Sequence, residues 1–251
     1  MAPPQNQATL PHALKTPAIT KLSNNKRLVL ASASPRRKEI LNTFGLNPDI
    51  VPSTFKETLP HSDFPVLYEY PVSTATEKAV EVYERLIKED PENPPDLVIG
   101  ADTIVLTRVD PTSSNIHPSL EPTIPHEILE KPGTKVENLR MLLELNGHSC
   151  EVVTGVSVVY PILTAPGYAV KSMDERSIVH FQDNPMSLIE SYVDNGEGVD
   201  RAGGFAAQGL GGMLIRKVDG DWFNVVGFPA AAFFKFLDIL VEEEEDFLSI
   251  G

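Results

Sequence analysis

The chain has 251 residues, 41% of them hydrophobic and 22% charged, which is typical of a soluble globular protein with one main domain. Its formal net charge of −14 at pH 7 argues against DNA or RNA as the main partner, but not against a small anion in a locally basic site. The single cysteine, Cys150, excludes an internal disulfide framework, and no apolar run has the length of a membrane span.

The first predicted elements are a strand, a turn of small residues and a helix. Residues 1–25 precede them and are rich in Pro, Asn, Gln and Thr, which predicts a disordered N-terminal arm. The apolar residues that end at Leu30 predict a buried strand. A helix is predicted to begin at Pro35, with Ser34 as its N-cap and Gly45 as the residue that ends it.

Three cations, Arg36, Arg37 and Lys38, occupy the first turn of this helix. Free backbone amides and the helix dipole already make that end electropositive, so the three side chains repel one another unless an anion binds there. The arrangement predicts a site for a phosphorylated ligand. The alternative is a basic turn that is only solvated.

Farther along, strand-like and helix-like segments alternate, which predicts an α/β fold. Two capping boxes, Thr74 with Glu77 and Thr134 with Glu137, predict helix starts. Helices are predicted at 74–89, 134–147 and 229–241, strands at 97–106, 150–160 and 169–181, and a hairpin that joins 213–218 to 222–226. The predicted folded domain covers 26–241, with a proline-rich surface insertion at 109–125 and an acidic C-terminal tail at 242–251.

Asp102 lies inside an otherwise apolar predicted strand, where a carboxylate is costly unless it is paired, protonated or bound to a metal. The alternative is an aspartate that caps a neighbouring helix. Lys78 borders the apolar stripe of a predicted helix and is equally compatible with a surface lysine. Lys131 and Glu57 carry little signal by themselves, and Glu57 is compatible with a solvated loop carboxylate.

Glycines are dense between Gly196 and Gly209, and such a backbone can approach a ligand closely or form a flexible loop. The segment does not match the dinucleotide-binding pattern, and the chain has no Walker lysine motif. The histidines lack metal-ligand spacing, and Cys150 is predicted to be a core residue rather than a nucleophile. One candidate base with several cations and carboxylates suits metal-assisted attack of water on a phosphate ester.

Sequence blocks over about residues 27 to 240 resemble the Maf nucleoside-triphosphate pyrophosphatases, in the family's order. The blocks are Leu30–Arg37, Gly100–Val105, Leu129–Pro132, Val153–Val156, Asp200–Gly203, Gln208–Gly212 and Val218–Pro229. The resemblance implies a mixed, twisted sheet with flanking helices and two lobes around a central cleft, as in the inosine-triphosphate pyrophosphatases. It also implies hydrolysis of nucleoside triphosphates to the monophosphate and pyrophosphate.

The resemblance implies a role for each matching residue. Asp102 matches the general base that activates water for attack on the α-phosphorus. Glu57 matches a carboxylate near the metal, so Glu57 and Asp102 are the expected ligands of Mg²⁺ or Mn²⁺, a cation that relieves repulsion as the pyrophosphate leaves. The positions that match triphosphate contacts are Ser32, Arg36, Arg37, Lys78 and Lys131.

Thr103 and Gln208, with Arg36, match the branch of the family that acts on dTTP and UTP. A buried amide can pair with the edge of a pyrimidine, and a wrong base would leave it unpaired. The chain departs from the family at Arg201, where a lysine is usual, and at 205–207, where Phe-Ala-Ala replaces Tyr-Gly-Ile.

Three alternatives stay open: the same chemistry on 7-methyl-GTP or another base, a non-catalytic nucleotide-binding regulator of cell division, and a phosphate-ester hydrolase that releases orthophosphate. Nucleoside triphosphates, including modified pyrimidine nucleotides, are the expected partners, with a homodimer by family analogy and neither a nucleic acid polymer nor a membrane. The start of the chain lacks a signal-peptide pattern, so we expect a cytoplasmic protein, with nuclear entry left open.

Overall fold

The computed structural model describes residues 7–108 and 127–249, so the predicted insertion at 109–125 lies outside the described residues. Its helices are α1 (Pro17–Leu22), α2 (Pro35–Thr43), α3 (Glu69–Glu89), α4 (Lys135–Leu145), α5 (Met186–Asn195), α6 (Trp222–Val226) and α7 (Ala230–Glu243). Its strands are β1 (Leu28–Leu30), β2 (Asp49–Ile50), β3 (Leu97–Thr107), β4 (Ile128–Leu129), β5 (Ser149–Pro161), β6 (Tyr168–Phe181) and β7 (Ile215–Asp219). Short 3₁₀ turns occur at His61–Asp63, Ala202–Gly204 and Leu210–Leu214.

Within these residues the strands form one seven-stranded sheet in the order β2-β1-β3-β5-β6-β7, and β4 pairs with β3. β1 runs parallel to both β2 and β3, whereas β4 is antiparallel to β3 and β7 to β6. The predicted α/β fold with a mixed sheet and flanking helices is therefore confirmed. Among the described residues, no helix is both long enough and apolar enough to cross a membrane.

The chain forms two compact units. The first contains the residues up to Asp102, Thr154–Glu175 and the residues from Gly227 onward, and the second contains Thr103–Val153 and Arg176–Val226. In the first unit, α3 packs on β1 and β3 through buried side chains such as Val82, Val29 and Val98. In the second unit, α4 and α5 pack on β5 and β6 around a core that includes Cys150.

The N-terminal arm differs from the predicted disorder over residues 7–25. Helix α1 forms there with Ala18, Ile19 and Leu22 buried, and the backbone amide of Ala18 donates to Asp238 Oδ1 of α7 at 2.8 Å. The acidic end of the chain is likewise not only solvated, because Phe247 is buried. Both segments have partners far away in the sequence, Asp238 for α1 and Tyr160 for Phe247. Local composition therefore could not indicate that these segments are ordered.

Two local predictions are wrong. Helix α3 begins at Glu69, so Thr74 lies inside it and the capping box there does not form, whereas the Thr134 capping box does. The second arm of the predicted hairpin is the short helix α6, because Asp221 Oδ1 accepts from the amide of Phe223 at 2.7 Å and starts a helical turn. The apolar residues after Asp221 gave no way to choose between strand and helix.

Candidate active site

Three ionisable side chains meet at the end of the first unit's part of β3. Lys78 Nζ on α3 donates to Asp102 Oδ1 at 2.8 Å and lies 2.7 Å from Glu57 Oε1. Lys78 and Asp102 are buried, and the Glu57 side chain is 45% exposed. Two carboxylates thus share one buried ammonium group, and the exposed carboxylate opens the cluster to solvent.

The helix and the strand approach each other closely where they carry these groups. Gly100 precedes Asp102 by two residues on β3, and a Cβ there would lie 2.1 Å from the carbonyl oxygen of Ala75 on α3. Ala75 and Ala79, one on either side of Lys78, are fully buried. Small side chains at this contact let the Lys78 ammonium reach the carboxylate of the central strand.

Asp102 has conflicting electrostatic surroundings. Burial raises the pKa of its carboxyl, the charge of Glu57 raises it further, and Lys78 and Arg37 act in the opposite direction without cancelling the effect. A carboxylate with a raised pKa is a better proton acceptor than an ordinary aspartate at neutral pH. The arrangement is suited to removing a proton from a water molecule.

One cation of the basic turn of α2, Arg37, is held by hydrogen bonds to other parts of the protein. Arg37 Nη1 donates to Ser32 Oγ at 3.1 Å, and Arg37 Nε donates to the carbonyl oxygen of Gly227 at 3.0 Å. Burial lowers the pKa of the Arg37 guanidinium, while the nearby charges of Asp102 and Glu57 raise it. Arg36 is half-buried and Lys38 is exposed. Arg37 is therefore a fixed cation rather than a solvated surface side chain.

The loop that carries Glu57 is tied to α3 by Glu81, a residue without any distinguishing pattern in the sequence. The carboxylate of Glu81 accepts from Ser53 Oγ at 2.8 Å, from Thr54 Oγ1 at 2.9 Å and from the Thr54 amide at 3.0 Å. Arg85 Nε donates to the same carboxylate at 2.8 Å. Burial acts to raise the pKa of Glu81, but these donors outweigh it and lower the pKa from 4.5 to about 2.

We expect Glu81→Gln to destabilise the protein by about 1–2 kcal/mol at pH 7, because the charged form accepts four donors in the folded state only. A lowered pKa stabilises the fold above pH 4.5, and this contribution is lost as the pH falls towards 2. Urea unfolding at pH 7 and pH 3 should show a smaller difference from wild type at pH 3. The exposed Glu89→Gln is the control, and an equal difference at both pH values would contradict the prediction.

The remaining predicted site residues belong to the second unit. Thr103 is half-buried, and Lys131 and Gln208 are exposed. Gln208 follows the buried residues Phe205, Ala206 and Ala207. Cys150 is a core residue, as predicted, and burial raises the pKa of its thiol, which disfavours the nucleophilic thiolate.

The donor set of the first unit fits a hard divalent cation. Among the described residues, no group of three or more His, Cys, Asp or Glu side chains could hold a metal by itself. Mg²⁺ commonly uses only one or two protein carboxylates and takes its other ligands from water and substrate phosphates. Asp102 and Glu57, which contact the same ammonium group, meet that smaller requirement.

Known proteins resemble this chain over most of its length. A family model described as "Maf-like protein" matches residues 27–240. A human protein, "Probable bifunctional dTTP/UTP pyrophosphatase/methyltransferase protein", is 43% identical over 223 residues, which is 87% of this chain and 32% of the human protein. The chain therefore spans about a third of that relative.

Two other relatives match over most of their own length. A "dTTP/UTP pyrophosphatase" of Schizosaccharomyces pombe is 37% identical over 87% of this chain and 86% of its own. One of Thermococcus kodakarensis is 36% identical over 84% and 96%. The family match over residues 27–240 includes residues of both units described above.

Proposed function

The chain belongs to the Maf-like protein family, and from that membership we propose that it hydrolyses dTTP and UTP to the nucleoside monophosphate and pyrophosphate. The observation that supports this best is the buried Asp102 carboxylate, held at 2.8 Å by Lys78 in the same unit as the basic turn of α2. Relatives at 36–43% identity carry the name of this activity.

In the proposed reaction, Asp102 accepts a proton from a water molecule while the water oxygen attacks the α-phosphorus. A bond forms between the water oxygen and that phosphorus, and the bond from the phosphorus to the oxygen that bridges to the β-phosphate breaks. Pyrophosphate leaves with the electron pair of the broken bond. Lys78 holds the Asp102 carboxylate in one orientation, so the base is positioned before the substrate arrives.

Mg²⁺ or Mn²⁺ bound by Glu57 and Asp102 would neutralise charge that develops on the phosphate oxygens. Ser32, Arg36, Arg37 and Lys78 of the first unit are proposed to hold the triphosphate. Arg37 already has a fixed orientation through Ser32 and Gly227. Lys131 of the second unit is proposed as a further phosphate contact, and Thr103 and Gln208 as determinants of the base.

The test is an incubation of the purified protein with Mg²⁺ and a panel of ribo- and deoxynucleoside triphosphates and 7-methyl-GTP, with monophosphate and pyrophosphate measured. We expect release from dTTP and UTP. Release only from nucleotides with another base would support the proposed reaction and refute the proposed roles of Thr103 and Gln208. Orthophosphate in place of pyrophosphate would indicate the generic hydrolase. No release with Mg²⁺ or Mn²⁺ would favour a non-catalytic nucleotide-binding regulator.

We expect Arg36→Ala to raise the KM for UTP by about 10-fold and to change kcat by less than about 3-fold. A phosphate contact made equally in the ground state and the transition state affects binding more than turnover. Steady-state kinetics measure both constants. Lys38→Ala removes an exposed cation from the same turn and should leave KM within about 2-fold of wild type. An equal effect of the two substitutions would contradict a specific contact by Arg36.

A homodimer and a cytoplasmic location complete the proposal, the first by family analogy and the second from the sequence. Light scattering on the purified protein would give the mass, and we expect twice the 27.5 kDa of the chain. Fluorescence microscopy of a tagged chain would report whether it is cytoplasmic or also nuclear. Neither result would change the proposed chemistry.

A further inference from the structure

In the segment 205–211, Gln208 is exposed to solvent although the residues just before it are buried. Phe205, Ala206 and Ala207 are at most 6% exposed, whereas Gln208 and Gly209 are exposed. An exposed glutamine on an unrestrained loop would sample many orientations, which weakens any discrimination between bases. The contacts that hold this segment therefore bear on specificity.

Glu197 holds the side of the segment that follows Gln208. Its carboxylate accepts from the amide of Leu210 at 3.1 Å through Oε1 and from the amide of Gly211 at 3.0 Å through Oε2. Each carboxylate oxygen thus receives one backbone donor. Gly209 lies against the same carboxylate, because a Cβ on Gly209 would be 2.1 Å from Glu197 Oε1. The contact requires both the carboxylate and the glycine.

Tyr192 holds the side that precedes Gln208. Its hydroxyl oxygen accepts from the amide of Ala206 at 3.1 Å. Burial raises the pKa of the Tyr192 hydroxyl, and the charge of the nearby Glu197 carboxylate raises it further. The side chains of Tyr192 and Glu197 therefore lie close together. Tyr192 belongs to α5, and Glu197 follows the left-handed Gly196 that ends this helix. One helix end therefore fixes the backbone on both sides of Gln208.

We propose that Glu197 and Tyr192 are positioning residues that hold segment 205–211, and that Glu197 thereby sets the selectivity of Gln208 for a pyrimidine base. The selectivity part rests on the proposed function. Glu197 does not touch the base. It fixes the backbone from which the Gln208 amide extends, so a wrong base meets an amide that cannot turn to accommodate it.

The first experiment measures backbone amide hydrogen exchange by NMR. Glu197→Ala should speed exchange of the Leu210 and Gly211 amides by about 10-fold or more, because both lose their acceptor. Tyr192→Phe should do the same for the Ala206 amide. Glu190→Gln changes an exposed glutamate of α5 and should leave all three amides as in wild type. Unchanged exchange in Glu197→Ala would overturn the proposal.

The second experiment compares kcat/KM for UTP with kcat/KM for GTP. Glu197→Ala should lower this ratio by about 10-fold through a higher KM for UTP, and Gly209→Ala should do likewise with Glu197 intact. The Glu197→Ala/Gln208→Ala double variant should have the ratio of Gln208→Ala alone, because both changes remove the same discrimination.

The outcomes separate the two proposals. If Gln208→Ala lowers the ratio and Glu197→Ala does not, the further inference is overturned and the proposed function stands. If Gln208→Ala keeps the ratio, the selectivity claim is overturned. A wild-type protein that hydrolyses no nucleotide would refute the proposed function and the selectivity claim together, and amide exchange would still decide whether Glu197 holds the segment.

Discussion

Asp102→Asn should lower kcat for UTP by about 10²- to 10⁴-fold while the protein still folds and binds nucleotide. The amide matches the carboxylate in size, and its oxygen can still accept from Lys78, so the buried contact at 2.8 Å has a replacement. An amide cannot take a proton from water at neutral pH, and loss of a positioned base costs this range of rate. Pre-steady-state and steady-state assays would measure the loss.

A measurement of nucleotide binding distinguishes loss of the catalytic base from unfolding of the protein or loss of the nucleotide site. Asn removes a negative charge near the expected position of a polyanion, so the Kd for a non-hydrolysable UTP analogue, measured in metal-free buffer, should be unchanged or lower. Calorimetry measures it. Asp183→Asn, at an exposed aspartate, should have wild-type turnover. If Asp102→Asn turned over within about 3-fold of wild type, Asp102 would not be the base.

A Mg²⁺ titration distinguishes the base from a residue that only holds the metal. Glu57→Gln should need a higher Mg²⁺ concentration for half-maximal rate and recover much of kcat at saturation, because Asp102 is intact. Asp102→Asn should stay slow at every Mg²⁺ concentration. Recovery of Asp102→Asn at high Mg²⁺ would limit Asp102 to metal binding.

Elements whose partners are local could be predicted from the sequence. The helix that begins at Pro35, the capping box of α4 and the long strands β3, β5 and β6 follow from short-range patterns, and the structure contains them. The sequence could not show that α1 is an ordered helix, because the hydrogen bond from the Ala18 amide to Asp238 joins residues near opposite ends of the chain. Helix α6 begins after a cap at Asp221, and in the sequence this aspartate beside Gly220 resembles an ordinary turn residue.

The same distinction applies to the site. Asp102 attracts notice as a charge in an apolar strand, and the cations of α2 attract notice at a helix start. Glu81 and Glu197 gave no such signal, since each resembles a solvated glutamate until its backbone donors are seen. Carboxylates that organise loops are recognised by what donates to them, which only the fold brings together.

Gly100→Ala should lower the free energy of unfolding by about 3 kcal/mol or more. The added Cβ would lie 2.1 Å from the carbonyl oxygen of Ala75 and 2.9 Å from Ala79 Cβ, so α3 must move away from β3. Urea unfolding measures the loss. The control is Gly133→Ala, whose Cβ would meet nothing closer than 3.5 Å and should cost less than about 0.5 kcal/mol. Equal stability of the two variants would contradict the prediction.

The substitution should also reduce activity in the fraction that remains folded. Lys78 lies between Ala75 and Ala79, the two residues that the new methyl group displaces, so the ammonium group moves with them. A shift of about 1 Å would stretch the 2.8 Å contact to Asp102 beyond hydrogen-bond range. We expect kcat for UTP to fall by about 10-fold at a temperature where Gly100→Ala is folded by circular dichroism. A wild-type kcat in that folded protein would show that the Lys78–Asp102 contact is not needed to position the base.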